Sequence, residues 1–572
     1  MTTLTADTAT LISDVHVAAG DIVPEGAPLI STELMKMVQV LRAPHPCRIT
    51  SVHVSPGDAV VAGAPLIAFA AAEAEAAPHP VPTARPEREA YAARMGLLAD
   101  DARPKAVLKR HATGLRTARE NLSDLLDPGS FAEYGALAVA AQRSTRALDD
   151  LAARTPADGI VLGAGTVAGA PVLALAVDYT VLAGTQGYFH HRKIDRLLDA
   201  HPALPLVLFA EGGGGRPGDV DADALMAAGL TVPTFARLTA HAGLKIGIAA
   251  GYCFAGNAAL WGVCDIRIAC TGSNIGMGGP AMIEGGGLGR VAPEQIGPAE
   301  TLDANGVADL IAASEAHAVT LARSLLPGHT PPDGAAPNLE ALPSAVPSDR
   351  GEAYDMRALI GALTDGFTEF RAGHAPGLIA GIAQIGGHRF GLIANAPLHL
   401  GGALDGPAAA KAARHIALTD TLNLPLLSLI DTPGFMVGPE AEAAGQVDHA
   451  AALFRAGAAF SGPFIALITR KAYGLGAMAM AGGSLSRPHM TLAWPTAELG
   501  AMGLEGAVKL GYRAHLGAIE DPAERAAEEA RLLAQMYDRG SALNAASLLE
   551  FDAVVLPEDT PDAILKALSA AR

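Results

Sequence analysis

Lys36 stands between two methionines, Met35 and Met37, in the stretch STELMKMVQV that runs from Ser31 to Val40. A lysine amine on a tight exposed turn is within reach of a modifying enzyme, and a group joined to it can swing. Alone, a Met-Lys-Met triplet says no more than an ordinary exposed lysine. A second place where chemistry could gather is Glu211 to Asp219, EGGGGRPGD, behind an apolar strand expected over Leu204 to Ala210. No Gly-Lys-Ser/Thr follows the glycines, so the run does not read as a nucleotide loop. It reads as backbone brought close to a ligand, with the N–H groups of Gly213 and Gly214 converging at a helix start. His190-His191-Arg192-Lys193 opens a helix ahead of that run, and its histidines read as structural or exposed rather than as metal ligands. Nothing else in the chain resembles a conventional general base or a metal site.

Composition narrows the classes. At 572 residues the chain has room for three to five domains. Half of its residues are apolar and 17% charged, as in folded globular proteins. A net charge of −18 argues against a nucleic-acid partner, and an anionic substrate would need local Lys and Arg working against that field. Cys47, Cys253, Cys264 and Cys270 form no CxxC pair. They read as reduced thiols in a cytoplasmic protein and exclude a four-cysteine zinc ribbon. No signal peptide opens the chain, and no apolar run approaches a membrane span.

The elements that must present Lys36 come from an internal repeat. Val15–Ile30 and Val52–Ile67 match at eleven of sixteen positions with an offset of 37. Each copy alternates apolar residues, turns at Gly-Asp, and turns again at Gly-Ala-Pro into a short apolar strand. Two copies predict a flattened all-β barrel or sandwich with pseudo-two-fold symmetry, and Lys36 falls in the hairpin between them. Set in this repeat, Glu33-Leu34-Met35-Lys36-Met37 resembles the acceptor hairpin of a biotinyl carrier domain. Leu34 departs from the smaller residue usual there. Residues 71–86, AAEAEAAPHPVPTARP, then read as an Ala/Pro-rich linker with a reach of roughly 50 Å near polyproline geometry.

A helical segment is expected from Pro104 to Leu126, followed by two successions of strand, glycine-rich turn and helix. Gly114–Phe131, Thr155–Thr166 and Asp178–Gly184 resemble the acyl-CoA carboxyltransferase family, as do the glycine run and Gly251–Ala269 (GYCFAGNAALWGVCDIRIA). The small-residue helix and strand of that last segment are similar to the crotonase superfold. Ser428–Glu442, Ala466–Gly483 and Trp494–Val508 are similar to the biotin-binding half of the same family.

The resemblance implies a biotinyl domain (1–70), a linker (71–103), and two α/β crotonase (ClpP)-like lobes (104–326 and 351–572) joined by residues 327–350. It implies transfer of CO2 from carboxybiotin on Lys36 to the α-carbon of an acyl-CoA, with the cofactor as base. The protein would position reactants and stabilise anions. The thioester oxygen would meet the N–H groups of Gly213 and Gly214, and the biotin ureido oxygen those of Leu475 and Gly476. By the same resemblance Arg192 and Lys193 meet the CoA phosphates, while Gly256 and Gly279 lie along the substrate. Short-chain members carry Gly-Ala where this chain has Leu475-Gly476, and an acidic residue at Met478, so a larger apolar acyl pocket is expected. Implied partners are a biotin protein ligase, a separate biotin carboxylase using ATP and bicarbonate, and further copies in a homohexamer. An ATP-independent transcarboxylase or decarboxylase, or an inactive biotinylated scaffold, would share these motifs.

Overall fold

The computed structural model describes residues 1–74, 85–222, 230–327 and 336–571. Most of the Ala/Pro-rich stretch and part of the expected inter-lobe connection lie outside the described residues. The chain divides into two compact units, Met1–Ala93 and Arg94–Arg572.

In the first unit the repeat folds as two antiparallel four-stranded sheets, each taking strands from both copies. Residues 37 apart do the same work. Ile12 and Ile49, Leu29 and Leu66, and Ile30 and Ile67 are all buried in one core. His16 N–H donates to Leu29 O and His53 N–H to Leu66 O, both at 2.9 Å. Gly20 N–H donates to Ile49 O and Gly57 N–H to Ile12 O, both at 2.8 Å.

The second unit holds two lobes of one plan. In the first, the antiparallel hairpin Ile160–Val167 and Ala170–Val177 is continued by parallel strands Leu206–Phe209, Lys245–Ala249, Ile266–Cys270 and Leu310–Ala312. In the second, the hairpin Leu378–Ile385 and His388–Asn395 is continued by Leu426–Thr432, Phe464–Tyr473, Met490–Ala493 and Ala553–Val554. Parallel neighbours need crossovers, which the intervening helices supply.

The two lobes can be aligned residue by residue from their ladders. Phe254 pairs with Gly276 at the end of one short parallel ladder, and Tyr473 with Gly500 at the end of its counterpart. Ala255, Gly256 and Asn257 therefore correspond to Gly474, Leu475 and Gly476. Gly215 bridges Gln186 as Phe435 bridges Leu404, so Gly213 and Gly214 correspond to Pro433 and Gly434. Phe370, Ile382 and Leu418 of the second lobe join the first lobe's core. At the same seam, buried Asp309 accepts from Arg267 in the first lobe and from Arg371 and Arg414 in the second.

The helix expected from Pro104 to Leu126 is divided into Pro104–His111 and Ala118–Leu125. Gly114 turns the chain at φ +77°, and Thr117 with Glu120 closes a capping box on the second piece.

Candidate functional site

Lys36 sits on a two-residue turn between Pro28–Leu34 and Met37–Arg42, closed by the pair Leu34 and Met37. Met35 and Lys36 occupy the left-handed region at φ +51° and +65°. Turns of this kind favour Asn-Gly, and two non-glycine residues there cost roughly 1–3 kcal/mol each. The turn leaves Met35 at 90% and Met37 at 74% exposure, with Lys36 exposed between them. Such a tip suits covalent attachment of a swinging group.

In the first lobe, three successive glycine carbonyls are engaged by the body of the protein. Gly212 O accepts from Phe254 N–H at 2.7 Å and Gly214 O from Gln186 N–H at 2.9 Å. Between them, Gly213 O accepts from Asn257 Nδ2 at 2.8 Å. A trans peptide carries its N–H opposite its C=O, so the N–H groups of Gly213, Gly214 and Gly215 turn the other way. Among the described residues none of the three has an acceptor. Gly212 itself must be glycine: its φ is +93°, and a β-carbon there would lie 2.5 Å from Gly184 O.

No described helix starts at the glycines, contrary to the expectation from sequence. The helix start beside them is that of Gly256–Gly262, and a β-carbon on Gly214 would stand 3.6 Å from Gly256 N. Gly256 N–H has no acceptor within its own helix, so a third donor adjoins Gly213 and Gly214. Ala255 reaches this point at φ 51°, ψ −119°, with its N–H on Gly276 O at 3.0 Å. That bond ties the segment Gly276 to Pro280, GMGGP, to the same place. Gly279 is half-buried against Phe254, while Glu284 is exposed and paired with Arg290 at 2.6 Å.

The second lobe supplies donors from the other limb of the same frame. Pro433 has no N–H, and Gly434 N–H is taken by Thr432 Oγ1 at 3.1 Å. The donors left are those of Leu475 and Gly476, in the first turn of Gly474–Met480. Gly476 lies so close to the loop that a β-carbon there would sit 2.7 Å from Gly434 Cα. Leu475 (63% exposed) and Met478 (38% exposed) form an apolar rim.

A buried acid anchors each loop. Glu211 accepts from Arg110 at 2.5 and 2.6 Å. Burial pushes its carboxyl up to about 6 against the pull of that guanidinium. Asp431 is held by Arg470 at 3.1 Å and Lys471 at 3.0 Å. A cleft of about 690 Å³ opens beside Glu211, lined by Lys109, Tyr179, Ala183, Tyr252 and Thr271 among others.

Lys193 departs from the role expected of it. Its Nζ is buried and donates to Ala157 O at 2.9 Å and Ile160 O at 2.5 Å, and burial lowers its pKa to about 8. Lys411 does the same in the second lobe, donating to Arg371 O at 2.9 Å and His374 O at 2.8 Å. Both lysines are internal struts with no ammonium turned to solvent. Arg192 is exposed, its guanidinium 5.8 Å from the Tyr188 ring centre. His190 and His191 are buried, and burial lowers His191 to about 4. No metal-holding cluster occurs among the described residues. Sequence reading missed Asn257, Gln186 and Lys411, because only the folded loops reveal what those side chains hold.

Residues 109–572 match the carboxyl transferase domain family, and residues 3–69 the family described as biotin-requiring enzymes. A solved single-chain, multi-domain long-chain acyl-CoA carboxylase is 46% identical at a TM-score of 0.79, covering 99% of this chain. The chain spans 56% of that protein's length. A transcarboxylase 12S structure, described as a hexamer with methylmalonyl-CoA bound, superposes at a TM-score of 0.74 with 29% identity over 85% of this chain and 96% of its own. The propionyl-CoA carboxylase beta chain of Saccharopolyspora erythraea is 33% identical, over 81% of this chain and 89% of its own. No described helix is long and apolar enough to cross a membrane. On these matches, the chain belongs to the acyl-CoA carboxyltransferases of the carboxyl transferase domain family, with a biotin-requiring domain on the same polypeptide.

Proposed function

We propose that this chain is the carrier-plus-carboxyltransferase component of a biotin-dependent acyl-CoA carboxylase, with biotin on Lys36. The observation that carries the reading is the pair of backbone anion cradles, one per lobe, on the two limbs of a shared frame. Biotin, when bound, supplies the carboxyl group and a ring nitrogen basic enough to take the α-proton. The N–H groups of Gly213 and Gly214, with Gly256 beside them, hold the thioester oxygen as it gains negative charge. Those of Leu475 and Gly476 hold the ureido oxygen. Preorganised donors of this kind lower the barrier because they need no reorientation as charge develops. The cleft beside Glu211 takes the CoA portion, with Lys109 as an exposed cation on its lining, and the exposed Arg192 meets the CoA phosphates. Leu475 and Met478 favour a medium or long acyl chain over acetyl.

A separate biotin carboxylase charges the carrier with ATP and bicarbonate. A biotin protein ligase loads Lys36. The assembly is a homohexamer like the transcarboxylase 12S, and the four buried free thiols suit the cytoplasm. The 12S likeness also favours a second reading, transfer between two acyl-CoAs without ATP. Labelled bicarbonate offered with ATP, acyl-CoA and added biotin carboxylase separates the two. Fixation that needs both ATP and the carboxylase supports the first reading, and carboxyl exchange without them the second. Lys36→Ala is expected to abolish either while leaving the unfolding temperature unchanged. A biotin-free Lys36 in protein made beside a competent ligase would overturn both.

A further inference from the structure

Asn257 is wholly buried, and its amide nitrogen is surrounded by backbone carbonyls. It donates to Gly184 O at 2.8 Å, Glu211 O at 2.7 Å and Gly213 O at 2.8 Å. Three acceptors around one end of the amide leave only one orientation for it. The other end, Oδ1, accepts from Gln186 Nε2 at 3.0 Å, and Gln186 is itself buried. Gln186 also donates its backbone N–H to Gly214 O, so one residue touches both the amide and the peptide that follows.

We propose that Asn257 is the positioning residue of the first lobe's anion cradle: by holding Gly213 O inward it turns the Gly214 N–H out toward the substrate. This rests on the assignment of Gly213 and Gly214 to the thioester oxygen and deepens it. A peptide between two glycines rotates freely unless something holds it. The carbonyls of Gly212 and Gly214 are fixed by main-chain donors, whereas Gly213 O depends on a side chain. Without that amide the 213–214 peptide is free to flip, presenting a carbonyl where a donor was. Gln186 acts one step further out, by keeping the amide nitrogen toward the loop. The second lobe has glycine at the corresponding position, Gly476, and steadies its loop through Thr432 Oγ1 and direct backbone contact instead.

The test compares ligand binding, which needs neither biotin nor a partner enzyme, in the wild type, Asn257→Ala and Gln186→Met. One probe is pivaloyl-CoA, a neutral thioester without an α-proton. The other is a dethia-CoA nitroalkane ionised to its nitronate, whose charged oxygens imitate the enolate. Losing one oriented donor is expected to weaken nitronate binding by Asn257→Ala roughly 10- to 100-fold. Pivaloyl-CoA should change by less than about threefold, since little charge sits on a neutral thioester oxygen. Gln186→Met should show the same split at smaller size, and it decides the matter if Asn257→Ala fails to fold. Equal weakening of both ligands would mean a purely structural role and overturn the proposal, as would unchanged nitronate binding. A wild type that binds neither ligand would instead overturn the acyl-CoA assignment itself, and this inference with it.

Discussion

The two lobes of the transferase body share a frame but place their donors on different limbs of it. In the first lobe the loop after the strand is the donor limb: among the described residues the N–H groups of Gly213 and Gly214 have no acceptor, while the Asn257 side chain and main-chain donors occupy the carbonyls. In the second lobe the loop is closed, with Pro433 lacking an N–H and Gly434 bonded to Thr432, so the helix start carries the donors. Residues at three aligned positions make the difference: Gly213 against Pro433, Gly214 against a Gly434 tied to Thr432, and Asn257 against Gly476. The shared frame therefore brings unpaired donors to one place relative to the sheet but leaves open which peptide supplies them. Under the proposed function, that freedom would let one architecture hold two chemically different oxygens.

The largest expected effect comes from crowding the close approach of Gly476 to Gly434. A β-carbon at Gly476 would meet Gly434 backbone at 2.7 Å, and neither partner is a flexible side-chain end. Gly476→Ala should push the helix start off the loop, misaim both donors and lower carboxyl transfer by roughly 100- to 1000-fold. The corresponding insult in the first lobe is softer, because a β-carbon on Gly214 meets the Ala255 methyl at 3.1 Å. Gly214→Ala should cost roughly tenfold in the same steady-state assay. Equal losses would break the idea that the lobes close their cradles differently.

The strut lysines sharpen the likeness between the lobes. Lys193→Met and Lys411→Met each remove two buried hydrogen bonds while keeping the apolar stem, although Ala157 O keeps the Ile160 N–H and Arg371 O the His374 N–H. Each is expected to lower stability by about 1–3 kcal/mol in chemical unfolding. CoA affinity should be unchanged in both, whereas Arg192→Ala, on the exposed side of the same helix, should weaken CoA several-fold and more so at low salt. Weaker CoA binding by Lys193→Met alone would return that lysine to the phosphate site and break the pairing.

Much of this was legible beforehand because it is written in local pattern. The offset repeat fixed the symmetry of the carrier domain, since Ile12 and Ile49 fill equivalent places in one core. Alternating strand and helix segments were readable from hydrophobic runs and turns. Gly213 and Gly214 drew notice because a glycine run after a strand has few uses, whereas Leu475 and Gly476 were named by the resemblance alone. Lys193 was misread for a physical reason: a lysine at a helix start looks the same in sequence whether its ammonium meets solvent or two carbonyls 33 and 36 positions away. Asn257 and Gln186 were invisible for the same reason, as their bonds span 44 and 71 positions.

The smallest effect expected is on acid stability. His191 is buried against Thr234 and titrates at about 4 in the folded lobe, below its ordinary value near 6.5. His415 is buried in the second lobe and titrates at about 3. Both are held neutral by burial, so the stability each contributes is fully present above pH 6.5 and is lost as pH falls and the unfolded chain takes up the proton first. Between pH 7 and pH 5 one such histidine accounts for about 2 kcal/mol. His191→Gln keeps a partner for Thr234 without the titration, so its stability loss over that interval should be smaller than the wild type's by about that amount. His190 stays in the first lobe, also held neutral by burial, so hydrogen exchange at pH 5 should show the variant's first lobe outlasting the wild type's while the second lobe is unchanged. If both lobes still soften together, their shared core and the Asp309 cluster bind them into one unfolding unit, and the comparison holds for structure but not for stability.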